Sequence, residues 1–134
     1  MFTKKFIFNF IALIVAAFLI GVTARFDRLF VNFDDVLHFA GGIAVAIGAS
    51  LFFAKELPRS RRKLFILVFL VGSSAIIGIG WELMEWLLDH TVFANSTYRN
   101  QPSLTDTVFD LILDSSGGFL VALLYLKSKV PWRY

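Results

Sequence analysis

Three stretches of the sequence place ionisable side chains at helical spacing within or beside apolar segments. In the first stretch, Asp34 and Asp35 lie four and three residues before His38, so one helical face carries all three side chains. In the second, two glutamates three residues apart stand between two tryptophans, and in the third, aspartates recur every four residues. The residues of these two stretches are Trp81, Glu82, Glu85 and Trp86, and Asp106, Asp110 and Asp114. Because ionisable groups are costly at membrane depth, such residues usually pair, line a pathway or bind something.

The composition indicates that these stretches belong to membrane helices. Hydrophobic residues make up 57% of the 134 residues and charged residues only 17%, which is too apolar for a water-soluble domain of this size. The sequence has no cysteine, so disulfides and thiolate metal sites are excluded. The net charge of +3 comes from the segments that flank the apolar stretches, which argues against nucleic acid as a partner.

Four apolar segments, at residues 6–24, 36–54, 64–88 and 108–126, each approach or exceed the roughly 20 residues that cross a bilayer as a helix. We therefore predict an all-α fold in which residues 1–134 form a single domain, an integral membrane four-helix bundle. The first segment also has features of a signal peptide, with two lysines before it and small residues at its end. We interpret it as a retained helix because its apolar run is longer than a usual signal core, although cleavage stays an alternative.

The basic residues predict the orientation of the bundle. Ten of the thirteen Lys and Arg residues precede the first segment, separate the second from the third or follow the fourth, and the other three are Arg25, Arg28 and Arg99. The positive-inside rule then places both termini in the cytoplasm. All acidic residues except Glu56 fall in the outer half. Among these, we expect Asp27, Asp35 and Asp89 to be solvated boundary residues.

We predict that the three acidic faces converge, because their side chains lie at similar depths in the membrane. A rise of 1.5 Å per residue puts Glu82 and Asp114 each about 9 Å inside the predicted ends of their helices. Crowded carboxylates repel one another, and a divalent cation removes that cost. The first hypothesis is therefore a metal site for Mg²⁺, Mn²⁺ or Ca²⁺, or, with an imidazole ligand, Zn²⁺. The candidate metal ligands are His38, Glu82, Glu85, Asp110 and Asp114.

A metal ion at this position could polarise a lipid-linked phosphate or activate water, as in a membrane hydrolase or phosphotransferase. The substrate would be lipid-linked or amphiphilic, and membrane lipids would be partners. The candidate catalytic residues are Glu82, Glu85 and Asp110, and the candidate substrate-binding residues are Asp34, Trp81 and Arg99. The sequence does not identify the substrate or the oligomeric state.

Three alternatives stay open. In the first, the acidic pocket binds the head group of a lipid, lipid carrier or antibiotic and performs no reaction. In the second, the clustered acids exchange protons or cations, although the inner half of the bilayer offers no ionisable group to continue a pathway. In the third, Arg25, Arg28 or Arg99 pairs with the acids and only locks the helix ends together.

A series of short motifs also carries a family resemblance. They are, in order, Phe33-Asp34, His38-Phe39, Trp81-Glu82, Glu85-Trp86, Asp106-Thr107, Asp110-Leu111 and Gly117-Gly118. This order resembles the YjdF-type bacterial inner-membrane proteins and, more distantly, the VanZ-like family, over roughly residues 33–120. The resemblance implies a multi-pass protein of a bacterial inner membrane with four or more helices, and VanZ-like members are associated with resistance to glycopeptide antibiotics. Both families have a basic residue where this chain has Asp35, so substrate recognition does not transfer.

Overall fold

The computed structural model describes residues 4–24, 33–54, 57, 63–95, 97 and 99–128, which form four α-helices. They are α1 (Lys4–Ala24), α2 (Phe33–Phe52), α3 (Lys63–His90) and α4 (Leu104–Lys127). Helices α2, α3 and α4 are each long and apolar enough to cross a membrane. Helix α1 has 21 residues, which is also a spanning length. The all-α fold predicted from the sequence is confirmed.

The helix boundaries differ from the predicted ones at polar turns. Helix α2 begins at Phe33 rather than near residue 36, and α4 begins at Leu104 rather than near residue 108. The first turn of α2 contains two aspartates, whose charge is favourable at the positive end of a helix dipole. The first turn of α4 is capped by Ser103, whose Oγ accepts a hydrogen bond of 3.2 Å from the backbone N–H of Asp106. A boundary drawn from hydropathy omits such turns.

Helices α2, α3 and α4 approach one another closely at glycines. A Cβ atom at Gly42 would overlap the backbone of Asp114, and a Cβ atom at Gly118 would overlap the side chain of Ser74. The Ser74 Oγ donates a hydrogen bond of 2.9 Å to the Gly42 carbonyl, which joins α3 to α2. Without a hydrophobic force between helices in lipid, small residues and interhelical hydrogen bonds are the means of association. This junction therefore fixes three helices at one level.

The interior of the bundle is apolar on one side of this junction and polar on the other. The apolar core contains Ala46, Ile47, Leu51, Leu57, Ile66, Leu70, Val121, Ala122 and Tyr125. The buried ionisable residues toward the other end are His38, Glu82, Glu85, Asp89, Asp110 and Asp114. Many large apolar side chains face outward instead, as expected for a surface in contact with lipid chains. The fold thus places a polar cluster inside an apolar shell.

Candidate functional site

The polar cluster is centred on His38, which lies about one turn inside α2 and is only 4% exposed. Its Nδ1 atom is 3.1 Å from Oδ2 of Asp114 on α4. An ionised carboxylate only accepts hydrogen bonds, so this contact assigns the proton of the neutral ring to Nδ1. The lone pair on Nε2 is then directed away from Asp114. An imidazole held by a carboxylate in this way is the usual arrangement of a metal-binding histidine.

Glycines on two helices leave the space that the Asp114 carboxylate occupies. A Cβ atom at Gly78 on α3 would overlap that carboxylate, and one at Gly41 on α2 would be 3.8 Å from its Oδ1. Asp114 is 5% exposed. The glycines therefore let α4 bring a carboxylate between α2 and α3, directly behind the His38 ring.

The opposite face of the His38 ring points to Glu82 on α3. His38 Nε2 and Glu82 Oε1 are 3.6 Å apart, and both residues are at least nine-tenths buried. Neither atom has a hydrogen-bond partner among the described residues. Leaving a buried polar atom without a partner costs about 1–3 kcal/mol. Bonds of about 2.1 Å from both atoms to one shared ion would subtend roughly 120°, a reasonable angle at a metal.

Other acidic side chains complete the cluster on this face. His38, Glu82 and Asp110 each offer a ligand atom within 4.8 Å of the others, and all three residues are buried. The ligand atoms of two further groups also lie within 4.8 Å of one another. One group consists of Asp34, His38 and Glu85, and the other of Asp34, Asp106 and Asp110. Asp34 and Asp106 are only partly buried. These two residues therefore connect the buried cluster to the surface at the helix ends.

Glu85 and Trp81 occupy the side of the cluster next to the His38 ring. The indole Nε1 of Trp81 donates a hydrogen bond of 3.0 Å to Glu85 Oε1, one turn farther along α3. The rings of Trp81 and His38 meet edge to face with centroids 6.5 Å apart. The spacing of four residues places Trp81 and Glu85 on the same face of α3. Their hydrogen bond holds the Glu85 carboxylate beside the histidine.

The connection between α3 and α4 contributes contacts that the sequence did not predict. Asp89 is 3% exposed, and its carboxylate accepts hydrogen bonds from the backbone and side chain of Asn100 and from the backbone of Gln101. The side chain of Gln101 then donates hydrogen bonds of 2.9 Å to Glu82 Oε2 and to Thr107 Oγ1. Since Oε2 is held by this amide, Oε1 is the oxygen that faces His38. No motif or spacing in the sequence signals this contact.

The structure tests the expected solvent exposure of two of the three predicted boundary residues. The expectation that Asp89 is solvated was wrong, because the returning connection covers it and supplies three donors. Asp35 is exposed as expected, and Asp27 lies outside the described residues.

The arginines expected to pair with the acids or to bind substrate are Arg25, Arg28 and Arg99, of which the structure describes Arg99. Arg99 is exposed in the connection between α3 and α4, and its Nη1 donates a hydrogen bond of 3.0 Å to the Phe93 carbonyl. Arg25 and Arg28 are outside the described residues. Among the described residues, the buried acids contact His38, Trp81, Asn100 and Gln101.

Comparisons with known proteins are consistent with a membrane protein. An uncharacterized protein of Thermotoga maritima is 27% identical over 117 residues, an alignment that covers 81% of this chain and 56% of the relative. The chain thus spans little more than half the length of that relative. No solved structure matches the chain.

A family model described as "Predicted membrane protein (DUF2238)" matches residues 2–129. This match fits the resemblance to YjdF-type proteins, whereas the resemblance to the VanZ-like family stays a prediction. With all but a few terminal residues matched, the chain belongs to the DUF2238 family of membrane proteins.

Proposed function

We propose that His38, Glu82 and Asp110 bind a divalent metal ion inside the membrane domain. The observation that carries the proposal is the pair of buried atoms, His38 Nε2 and Glu82 Oε1, that face each other at 3.6 Å without hydrogen-bond partners. Asp114 and Gln101 support it from behind, because each holds the far atom of a ligand side chain and aims the near one. A divalent ion would also offset the repulsion between the neighbouring carboxylates.

The ligand set favours some ions over others. Imidazole nitrogen is a good ligand for Zn²⁺ and other transition metals, whereas sites for Mg²⁺ and Ca²⁺ are built mostly from oxygen. One histidine with two carboxylates is a combination that suits Zn²⁺ or Mn²⁺. Three protein ligands leave at least one position for water or substrate, as catalytic metal sites require.

We propose further that the ion acts on the polar head group of a membrane amphiphile, in a hydrolysis or phosphoryl transfer. The bound ion would polarise the head-group oxygen and lower the energy needed to deprotonate a water molecule. Glu85 would accept the proton from that water, because its carboxylate lies within 4.8 Å of both His38 and Asp34. As the water oxygen bonds to phosphorus, the bond from phosphorus to the leaving oxygen would break, and Glu85 would return the proton to that oxygen. Asp34 and Asp106, at the partly exposed end, would contact the incoming water or head group. The basic loops predict that this end opens on the outer face of a bacterial inner membrane.

The metal hypothesis is tested by elemental analysis and by titration with Mn²⁺, whose free form is measured by electron paramagnetic resonance. Purified protein in detergent should bind close to one ion per chain. His38→Gln should lose this binding, whereas His90→Gln, which changes an exposed histidine at the end of α3, should keep it. A wild-type protein that binds neither Zn²⁺ nor Mn²⁺ above the background of the detergent would refute the proposal.

The reaction is tested separately from the ion. Metal-loaded protein in vesicles of bacterial polar lipids should release a water-soluble phosphate or head group over time. Glu85→Gln should stop this release while the ion stays bound, because Glu85 is outside the proposed ligand set. If the metal-loaded wild type releases nothing from such lipids, the site binds head groups without reaction, and the catalytic part of the proposal is wrong.

A further inference from the structure

An apolar cavity begins at the inner side of the His38 and Asp114 pair. Its volume is about 550 Å³, and side chains of α1, α2 and α3 line it, together with Asp114 of α4. From His38 and Trp81 at one end, it follows α2 to Phe52 and Phe53 at the other. Its volume falls within the range of cavities that hold small ligands.

The cavity extends along α2 for most of the depth of the hydrocarbon region. Its lining runs from His38 to Phe52, and these fourteen residue steps correspond to about 21 Å along a helix, roughly two thirds of the hydrocarbon thickness of a bilayer. The cavity therefore has the length that an extended hydrocarbon chain requires.

The cavity is continuous with the surface that contacts lipid. Ile11 and Val15 of α1 and Ile77 of α3 line it, and each of the three is also at least 40% exposed. Phe52 at the far end is 83% exposed. A hydrocarbon chain can therefore reach the cavity sideways from the bilayer without crossing the polar cluster.

The two ends of the cavity differ in chemistry. The deep end meets His38 and Asp114, and the rest of the lining is almost wholly apolar, since the hydroxyl of Ser73 is bonded to the Phe69 carbonyl. His38 therefore belongs to both sites, because it lines the cavity and its Nε2 faces Glu82 in the proposed metal site. A ligand that fills the cavity would have an apolar chain and a polar group beside His38.

We propose that this cavity binds the single long hydrocarbon chain of an amphiphile whose anionic, phosphate-bearing head group meets the metal ion. The inference rests on the proposed function for the nature of the head group, because an anion is attracted to the carboxylate cluster only when a cation is bound there. The place of the chain follows from the cavity alone. The substrate class is thus a single-chain alkyl or isoprenoid phosphate.

Photocrosslinking tests the place of the chain. The probes are hexadecyl phosphate and hexadecanol, each with a diazirine in the middle of the chain, added to metal-loaded protein in nanodiscs. Peptide mapping should find the adducts mainly on partly buried residues that line the cavity, such as Leu37 and Val45. Adducts spread evenly over exposed residues such as Val68 and Phe109 would overturn the inference.

Cavity-filling variants provide the matched comparison. Val45→Trp should reduce labelling of the cavity at least tenfold, whereas Val68→Trp, the same change at an exposed valine of α3, should leave it unchanged. Circular dichroism and a cooperative thermal melt show that Val45→Trp is folded, and Gly48→Leu fills the same cavity from the next turn of α2. Undiminished labelling in a folded Val45→Trp or Gly48→Leu protein would refute the assignment.

The two probes separate this inference from the proposed function. If the protein binds metal but neither probe labels the cavity, the chain assignment fails and the metal site stands. If the protein binds no metal but hexadecanol labels the cavity, the chain assignment stands and the metal hypothesis fails. Metal-dependent labelling by hexadecyl phosphate, with metal-independent labelling by hexadecanol, supports both.

Discussion

Asp114→Asn is a nearly isosteric change that removes one charge from behind His38. The carboxylate of Asp114 is 3.1 Å from His38 Nδ1 and is enclosed by Gly41 and Gly78, so the asparagine has the same space and no new contact. Its amide oxygen can still accept the proton of Nδ1. The variant therefore tests the charge of this hydrogen bond while the geometry is preserved.

The expected magnitude follows from the role of the charge that is removed. A group that holds a metal-binding histidine typically contributes about 10–100-fold to metal affinity, and since the asparagine oxygen keeps the hydrogen bond, we expect the lower end of that range, about tenfold or about 1.4 kcal/mol. At a concentration of 100 times the wild-type Kd, the ion stabilises the wild type by about 2.7 kcal/mol. The same concentration should stabilise Asp114→Asn by only about 1.4 kcal/mol.

The assay is a thermal melt in detergent with and without Mn²⁺, together with a direct titration of bound ion. Asp35→Asn is the matched control, because it removes one charge from an exposed position of α2 outside the groups that could hold an ion. The control should bind Mn²⁺ as the wild type does. Equal affinity for Mn²⁺ in Asp114→Asn and in the wild type would show that the contact between Asp114 and His38 does not support a ligand, and the reasoning would be refuted.

Three further predictions concern the packing, the connection and the protonation of the site. Gly78→Ala should lower the free energy of unfolding by about 1–3 kcal/mol because the added methyl group overlaps the Asp114 carboxylate, whereas Gly80→Ala, which meets nothing within 4 Å, should be neutral or stabilising in the same melts. Asp89→Ala should cost about 3 kcal/mol, since three donors lose their acceptor, and hydrogen exchange should show faster opening at Asn100 than in Asp35→Ala. Metal affinity should fall as the pH is lowered from about 8 to about 6, because protons compete with the ion for its ligands. Calorimetry in two buffers of different protonation enthalpy should detect proton release on binding. An affinity that is independent of pH would contradict the ligand assignment.

The sequence predicted the helices and the convergence of the acids, because both depend on local spacing. Apolar length sets the membrane helices, and a period of four residues places Asp110 and Asp114 on one face. The connection between α3 and α4 was not predicted, because the contact of Gln101 with Glu82 joins residues 19 positions apart through an irregular segment. The division of roles within the acidic cluster also depends on packing. The position of Asp114 behind the histidine, rather than beside Glu82, follows from its 3.1 Å contact with His38 Nδ1 in the space that Gly41 and Gly78 leave.

Part of the cluster has a purely structural explanation. Asp114, Glu85 and Asp89 each accept hydrogen bonds from neighbouring groups, so they can be understood as contacts that hold the helices and the connection together. His38 and Glu82 have two explanations on the face where they meet. Their facing atoms are buried without hydrogen-bond partners among the described residues, and at 3.6 Å they would form an ion pair with a protonated imidazole, which is a structural role. With a neutral imidazole both atoms would instead be left for a ligand, at a cost of about 1–3 kcal/mol each while no ligand is bound.

Glu82→Gln separates the two explanations by the sign of its effect. The glutamine oxygen can keep the hydrogen bond from Gln101, and its amide nitrogen then faces His38 Nε2 at the 3.6 Å separation of the present pair, from which a small shift forms a hydrogen bond. A function-related site should therefore become more stable without metal, by about 1–3 kcal/mol, and should lose its affinity for Mn²⁺. Glu82→Ala, which removes both contacts, is the control and should be destabilised. A Glu82→Gln protein that melts below the metal-free wild type would indicate that the glutamate stabilises the fold, and the case for a ligand between these two side chains would be lost.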